Sequence, residues 1–137
     1  MLKEKLNWYR TALHNLGLWS LIRLQMRKRF GSTKKLSKLT SKVLRYPVFA
    51  RPGSSDLLVF DQIFVEHEYR PLDAVKNAEL VIDCGANVGY SSAYFLSKYP
   101  ECFVIAVEPE DGNFGILIKN MSSLSGPSSR YSGGNLA

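Results

Sequence analysis

The sequence predicts an α/β chain with an N-terminal helical region. Three observations carry that expectation: apolar residues at helical spacing over residues 2 to 30, two short branched apolar runs, "ELVID" and "CFVIAVE", and a helix-like segment after each run. Runs of that composition are expected of strands buried on both faces of a parallel sheet. Strand, helix, strand, helix with short connections implies a right-handed crossover.

Taken in order, Leu2, Leu6, Tyr9, Leu13 and Leu16 recur at helical spacing, Gly17 interrupts, and "LWSLIRLQMRKRF" resumes with Leu18, Ile22 and Met26 on one face. A basic amphipathic helix of this kind packs on its own domain or lies on a membrane surface, and packing is the commoner role. "GSTKKLSKLTSK" reads as an exposed basic connector. "RYPVFAR" is a short strand closed by Pro52-Gly53, and Ser54, Ser55 and Asp56 are suited to cap a helix whose stripe is Leu57, Phe60, Ile63 and Phe64. "EHEYRPLDAVKNA" reads as a polar junction or short helix. After the strand ending at Asp83, a helix runs from about Gly89 to Tyr99 and stops at Pro100. "GNFGILIKNM" is a second helix, with Asn113 as its expected cap and Lys119 suited to its C-terminal end. Six serines, three glycines and a proline in the last sixteen residues predict a disordered tail. The expected divisions are therefore 1–44, 45–121 and 122–137.

The 137 residues fit one domain, and 45% apolar with 22% charged residues is ordinary for a globular chain. No apolar run reaches membrane-spanning length, and the start has charges where a secretory signal needs an apolar core, so the cytoplasm is expected. Cys84 and Cys102 are expected as buried free thiols. His14 and His67 lie in no ligand pattern, so no metal is expected. Charge is uneven. Residues 1 to 55 hold thirteen Lys/Arg and one acid, and residues 56 to 137 hold five Lys/Arg and eleven acids. The basic part suits phosphates of nucleic acid or of an anionic membrane, with a solvated basic face the commoner reading.

Most of the chemistry is in "VIDCGANVGYSSAYF". Asp83 closes a strand, Gly85 permits an unusual backbone angle, and Gly89 bares the start of a helix whose N–H groups and dipole suit an anion. Glu108 ends the second strand nineteen residues later, where an acid can accept hydrogen bonds from ribose hydroxyls. A nucleoside ligand fits. "GANVGY" puts Asn87 and Tyr90 where a dinucleotide fingerprint has its second and third glycines, which disfavours an NAD-linked oxidoreductase.

The form D-x-G-x-x-x-G with a following acid resembles the cofactor motif of class I S-adenosylmethionine-dependent methyltransferases. "VIDCGANVGYSSAYF", "VIAVEPEDGNFGILIKN" and the upstream "RPGSSDLLVFDQIFVEHEY" together resemble the FkbM family over residues 45 to 121. The resemblance implies a partial Rossmann-like class I methyltransferase fold, S-adenosylmethionine as cofactor, and O-methylation of a hydroxylated acceptor such as a saccharide. Carried onto this chain, it implies that the backbone from Gly85 through Ala86 to Gly89 contacts the cofactor. Asp83 would face its ammonium, and Glu108, followed by Pro109, would hold the ribose. Asn87 and Tyr90 would help seat the amino-acid end, and Asn113 would cap its helix or approach the adenosine. Bottom-up, Asp83 and Glu108 also read as a loop brace and a turn acid, and Arg51, Ser55 and Asp56 as a helix cap with an ion pair.

Only two strands of a larger sheet are legible, so the chain is expected to be a truncated piece with impaired activity, its acceptor pocket and catalytic base unassigned. The alternative from another class is a nucleic-acid or membrane-surface binding module formed by residues 1 to 55, with Trp8, Tyr9 and Trp19 among its aromatics. Of these partners, nucleic acid is the less expected.

Overall fold

The computed structural model describes residues 2–30, 35–123 and 131–134. Helices α1 (Leu2–Leu16) and α2 (Leu18–Phe30) form a hairpin. Gly17, at φ 80°, breaks the helical run because it enters the left-handed region without a Cβ penalty. Ala12, Asn15 and Leu16 of α1 and Leu21 and Leu24 of α2 are buried, and the Asn15 amide donates to the Val65 carbonyl at 2.9 Å. The hairpin therefore packs on its own chain through one face.

The expected connector is partly a strand. β1 (Ser37–Leu39) pairs antiparallel with β2 (Val48–Ala50), and Leu39 and Val48 are buried. Alternation of Ser37 and Leu39 inward with Lys38 outward is the strand period that the charge-rich composition masked. Residues 31–34 of that connector lie outside the described residues. Helix α3 (Asp56–Phe64) follows, then a 3₁₀ turn at Arg70–Ala74.

The second sheet has strands β3 (Leu80–Cys84), β4 (Phe103–Val107) and β5 (Tyr131–Gly134), parallel and in that order. Helix α4 (Tyr90–Lys98) joins β3 to β4, and α5 (Asp111–Ser123) follows β4. Two expectations are corrected here. Ser122 and Ser123 complete α5, and Tyr131–Gly134 form a strand rather than disordered tail. The open edge of β4 offers a row of backbone groups, and main-chain pairing needs little from a side chain. Residues 124–130 and 135–137 of the expected tail lie outside the described residues.

Nor is the sheet buried on both faces. Leu80 and Ile82 are 53% and 61% exposed, and Phe103 and Cys84 share that open face. Val104 and Ala106 point the other way and are fully buried. A strand order that advances the same way at each step keeps right-handed crossovers on one side, so one face receives the helices. Cys102 is buried as expected; Cys84 is not.

The core centres on aromatic rings. Phe60 and Phe64 of α3 meet Tyr90 of α4 with ring centroids 5.9 and 6.2 Å apart, and Tyr69 meets Phe95 at 5.0 Å. Each such ring contributes roughly 1.5–3 kcal/mol by leaving water. That cluster fixes α4, and with it the strand end described next. Among the described residues, no helix is long and apolar enough to cross a membrane.

Candidate cofactor site at the strand ends

β3 runs into an elbow in which every second residue is left-handed: Gly85 at φ 81°, Asn87 at φ 51° and Gly89 at φ 81°. Asparagine is among the few side chains that tolerate this region. The two glycines answer different needs. A Cβ at Gly89 would sit 3.3 Å from Leu117 Cγ and from Met121 Cε, so a side chain there would press on α5. A Cβ at Gly85 would meet nothing within 4 Å, so the space over the elbow is open.

Most N–H groups of the elbow are already engaged. Those of Gly85 and Ala86 donate to the Val107 carbonyl at 2.9 Å each, and that of Gly89 to the Ala86 carbonyl at 2.8 Å. The Asn87 N–H donates to Glu108 Oε2 at 2.7 Å. The elbow is thereby bound to the end of β4. Gly85 is exposed and Asn87 half-buried, whereas Gly89 and the first turn of α4, Tyr90 to Ala93, are buried, so a ligand reaches the elbow from the Gly85 side.

The two strand-end carboxylates act on one stretch of chain. Glu108, buried, takes Asn87 on Oε2 and both the Glu110 N–H (3.0 Å) and Asn113 Nδ2 (3.2 Å) on Oε1. A carboxylate has about four acceptor positions, so one remains. Asp83 Oδ2 accepts the hydroxyls of Ser91 and Ser92 at 2.6 and 2.5 Å. Asp83 sits in register with Ala106, two residues before Glu108, so the carboxylates terminate neighbouring parallel strands.

Behind Glu108 lies a polar relay. Asn113 Oδ1 accepts from Arg51 Nη2 at 2.7 Å, and Arg51 forks onto Asp56 through Nε (3.1 Å) and Nη2 (2.9 Å). Burial raises the Asp56 carboxyl, but hydrogen bonds from Arg51 and Ser54 outweigh it and hold the group below the usual carboxylate range. The Arg51 guanidinium is raised in return, first by its hydrogen bond to Asp56. Pro109 is exposed between Glu108 and Glu110. Glu110, not Asn113, caps α5: its carboxylate accepts the N–H groups of Gly112 (3.0 Å) and Asn113 (2.5 Å), which lower its pKa. Likewise Ser54, not Ser55, accepts the Asp56 N–H at 3.2 Å.

Tyr90 is committed elsewhere. Its side chain is buried, its hydroxyl donates to the Phe49 carbonyl at 3.0 Å, and burial, then the Asp56 charge, push its pKa far up. Only its backbone N–H faces the elbow end of α4. Three contributors escaped sequence reasoning. Ser91 and Ser92 hold Asp83, and "YSS" directly after the second glycine was the available signal. Asn120, fully buried, donates to the Val88 carbonyl at 2.7 Å and accepts the Phe49 N–H at 2.7 Å, which locks elbow and β2 to α5. A lone Asn in a helix carried no signal for that. The Tyr69 phenol is raised by burial first, then by the Asp83 and Glu68 charges.

The chain is 31% identical over 64 residues to "Methyltransferase sdnD" of Sordaria araneosa, a match covering 47% of this chain and 24% of that protein. The chain is related to a methyltransferase. The matched segment spans about a quarter of the relative's length. No family model matches, and no solved structure matches.

Proposed function

We propose that the chain is an S-adenosylmethionine-dependent O-methyltransferase of the FkbM type, with a partial Rossmann-like core, acting on a hydroxyl of a sugar or related metabolite. The observation that carries this reading is Glu108 folded against the Asn87 N–H, with Asp83 on the neighbouring strand end. The residues present fit the group. Open space over Gly85 admits a ligand to bare backbone, and Glu108 keeps an acceptor position for a ribose hydroxyl. Asp83, with Oδ2 turned to the two serines, offers Oδ1 to an ammonium. Asn87 contributes a fixed turn, exposed Pro109 a wall beside it, and Asn113 the orientation of Glu108, while buried Ala86 and Tyr90 support the turn from behind.

When bound, the sulfonium supplies a methyl group with a good leaving group. The chain's part is to hold that group in line with an acceptor oxygen, since positioning accounts for much of the acceleration in such transfers. The relay Asp56–Arg51–Asn113–Glu108 serves that end by fixing the carboxylate before any ligand arrives. Calorimetric titration of the 137-residue chain tests the reading. Saturable binding of S-adenosylmethionine, with none of NAD, is expected. Binding of NAD alone, or of neither, overturns it.

A further inference from the structure

The hairpin buries one face and leaves a second apolar face bare. On α1 the exposed residues Leu2, Leu6, Tyr9 and Leu13 recur at helical spacing; their stripe is centred about a quarter-turn from the mean direction of the buried Ala12, Asn15 and Leu16 and meets the buried face at Leu16. On α2 the exposed residues are Leu18, Trp19, Ile22 and Met26, with Trp19 and Leu2 each 75% exposed. The two stripes adjoin, because Tyr9 and Met26 line one shallow groove with Gln25, Lys28 and Arg29. Scattered exposed apolar side chains need no explanation, but eight on one helical hairpin form a patch that marks an interaction surface.

Charge identifies the occupant. Residues 2 to 30 contain seven Lys/Arg and one acid. Exposed Arg10 is three and four residues from Leu13 and Leu6, so it borders the apolar stripe. Arg10 and His14 also open, with His67 and Arg70, onto a cleft of about 440 Å³ whose one carboxylate, Asp73, is paired with Lys98. An apolar stripe rimmed by cations is complementary to an anionic bilayer surface, where aliphatic side chains enter the acyl boundary and cations meet phosphates. Nucleic acid offers the phosphates but no place for Leu2, Leu6 and Leu18. Each helix is too short to span, so the hairpin lies in the surface.

We propose that the outer face of the α1–α2 hairpin docks the protein on an anionic lipid surface, with Leu6, Leu13, Trp19 and Met26 in the interface and Arg10 at the headgroup phosphates. This is independent of the proposed methyl transfer.

Vesicle co-sedimentation of the full chain tests it. Binding to mixed phosphatidylcholine–phosphatidylserine vesicles is expected, weak on phosphatidylcholine alone and falling as salt rises. Tryptophan emission shifts to the blue on binding, and Trp19→Phe, which leaves Trp8, removes the shift. Leu6→Glu with Trp19→Glu, both at exposed positions, lowers partitioning at least about tenfold with circular dichroism unchanged. Should that double variant fail to fold, the emission of the natural chain on vesicles decides alone. Three results overturn the proposal: no binding to anionic vesicles, salt-sensitive binding to duplex DNA or RNA instead of vesicles, or a stable dimer that shields Trp19 without lipid.

Discussion

Glu108 Oε2 holds the backbone N–H of Asn87 at 2.7 Å, so the residue just past the end of one strand sets the turn that leaves its neighbour. Asn87 is left-handed, and this bond helps keep it there. Glu108→Ala strips the acceptor from three donors and is expected to cost about 2–3 kcal/mol in chemical denaturation. S-adenosylmethionine binding disappears with it. Asn113→Ala, which leaves the Asn87 contact in place, weakens binding by about tenfold or less at a smaller stability cost.

Gly85 and Gly89 share a φ of 81° and differ in their surroundings, and Ala substitutions separate the two effects. Gly85→Ala meets open space and suffers only the backbone penalty of about 1–2 kcal/mol. Gly89→Ala adds contact with Leu117 and Met121 and costs about 1 kcal/mol or more beyond that. Thermal melts of the two variants check the order. Equal losses would mean that α5 does not press on the elbow.

The Arg51–Asp56 pair carries a pH dependence. Asp56 is held below its ordinary pKa in the fold, so its contribution is complete above the unfolded value of about 3.9 and is lost as pH falls through the folded value. Denaturant midpoints of the natural chain therefore fall below about pH 4. In Asp56→Asn this part of the fall is absent, and stability at neutral pH is lower. Arg51→Ala leaves Asp56 buried without its cation and costs about 3 kcal/mol.

Thiol labelling reads the bare sheet face. Cys84 lies exposed beside Ile82, whereas Cys102 is buried and its pKa is raised by that burial against a backbone hydrogen bond. One thiol, Cys84, is expected to react rapidly with a neutral disulfide reagent, and Cys102 only in denaturant. Protection of Cys84 in the native chain would show that the sheet face is covered.

Local signals in the sequence were enough for β3, α4, β4 and α5, because branched apolar runs, Gly89 and Pro100 act within a few residues of themselves. Caps were less legible. Ser54 rather than Ser55 takes the Asp56 N–H, and Glu110 rather than Asn113 caps α5, because several adjacent residues could serve and small differences in backbone angle choose among them. Lys119, expected near a helix end, lies over the Phe49 ring at 4.9 Å, since α5 continues to Ser123.

The amino-acid sequence encodes an elbow legibly: a strand closed by Asp83, a glycine at 85 free to take an unusual backbone angle, a glycine at 89 that bares the next helix start, and an acid at 108. It also determined the charge of the N-terminal hairpin. These depend on backbone geometry and composition, which act locally. Long-range packing settles that Tyr90 serves the core, that Asn120 and Arg51 reach across the chain to brace the site, and that one sheet face stays bare. Each of those joins residues far apart in sequence or depends on which side the helices take, and no local pattern encodes either.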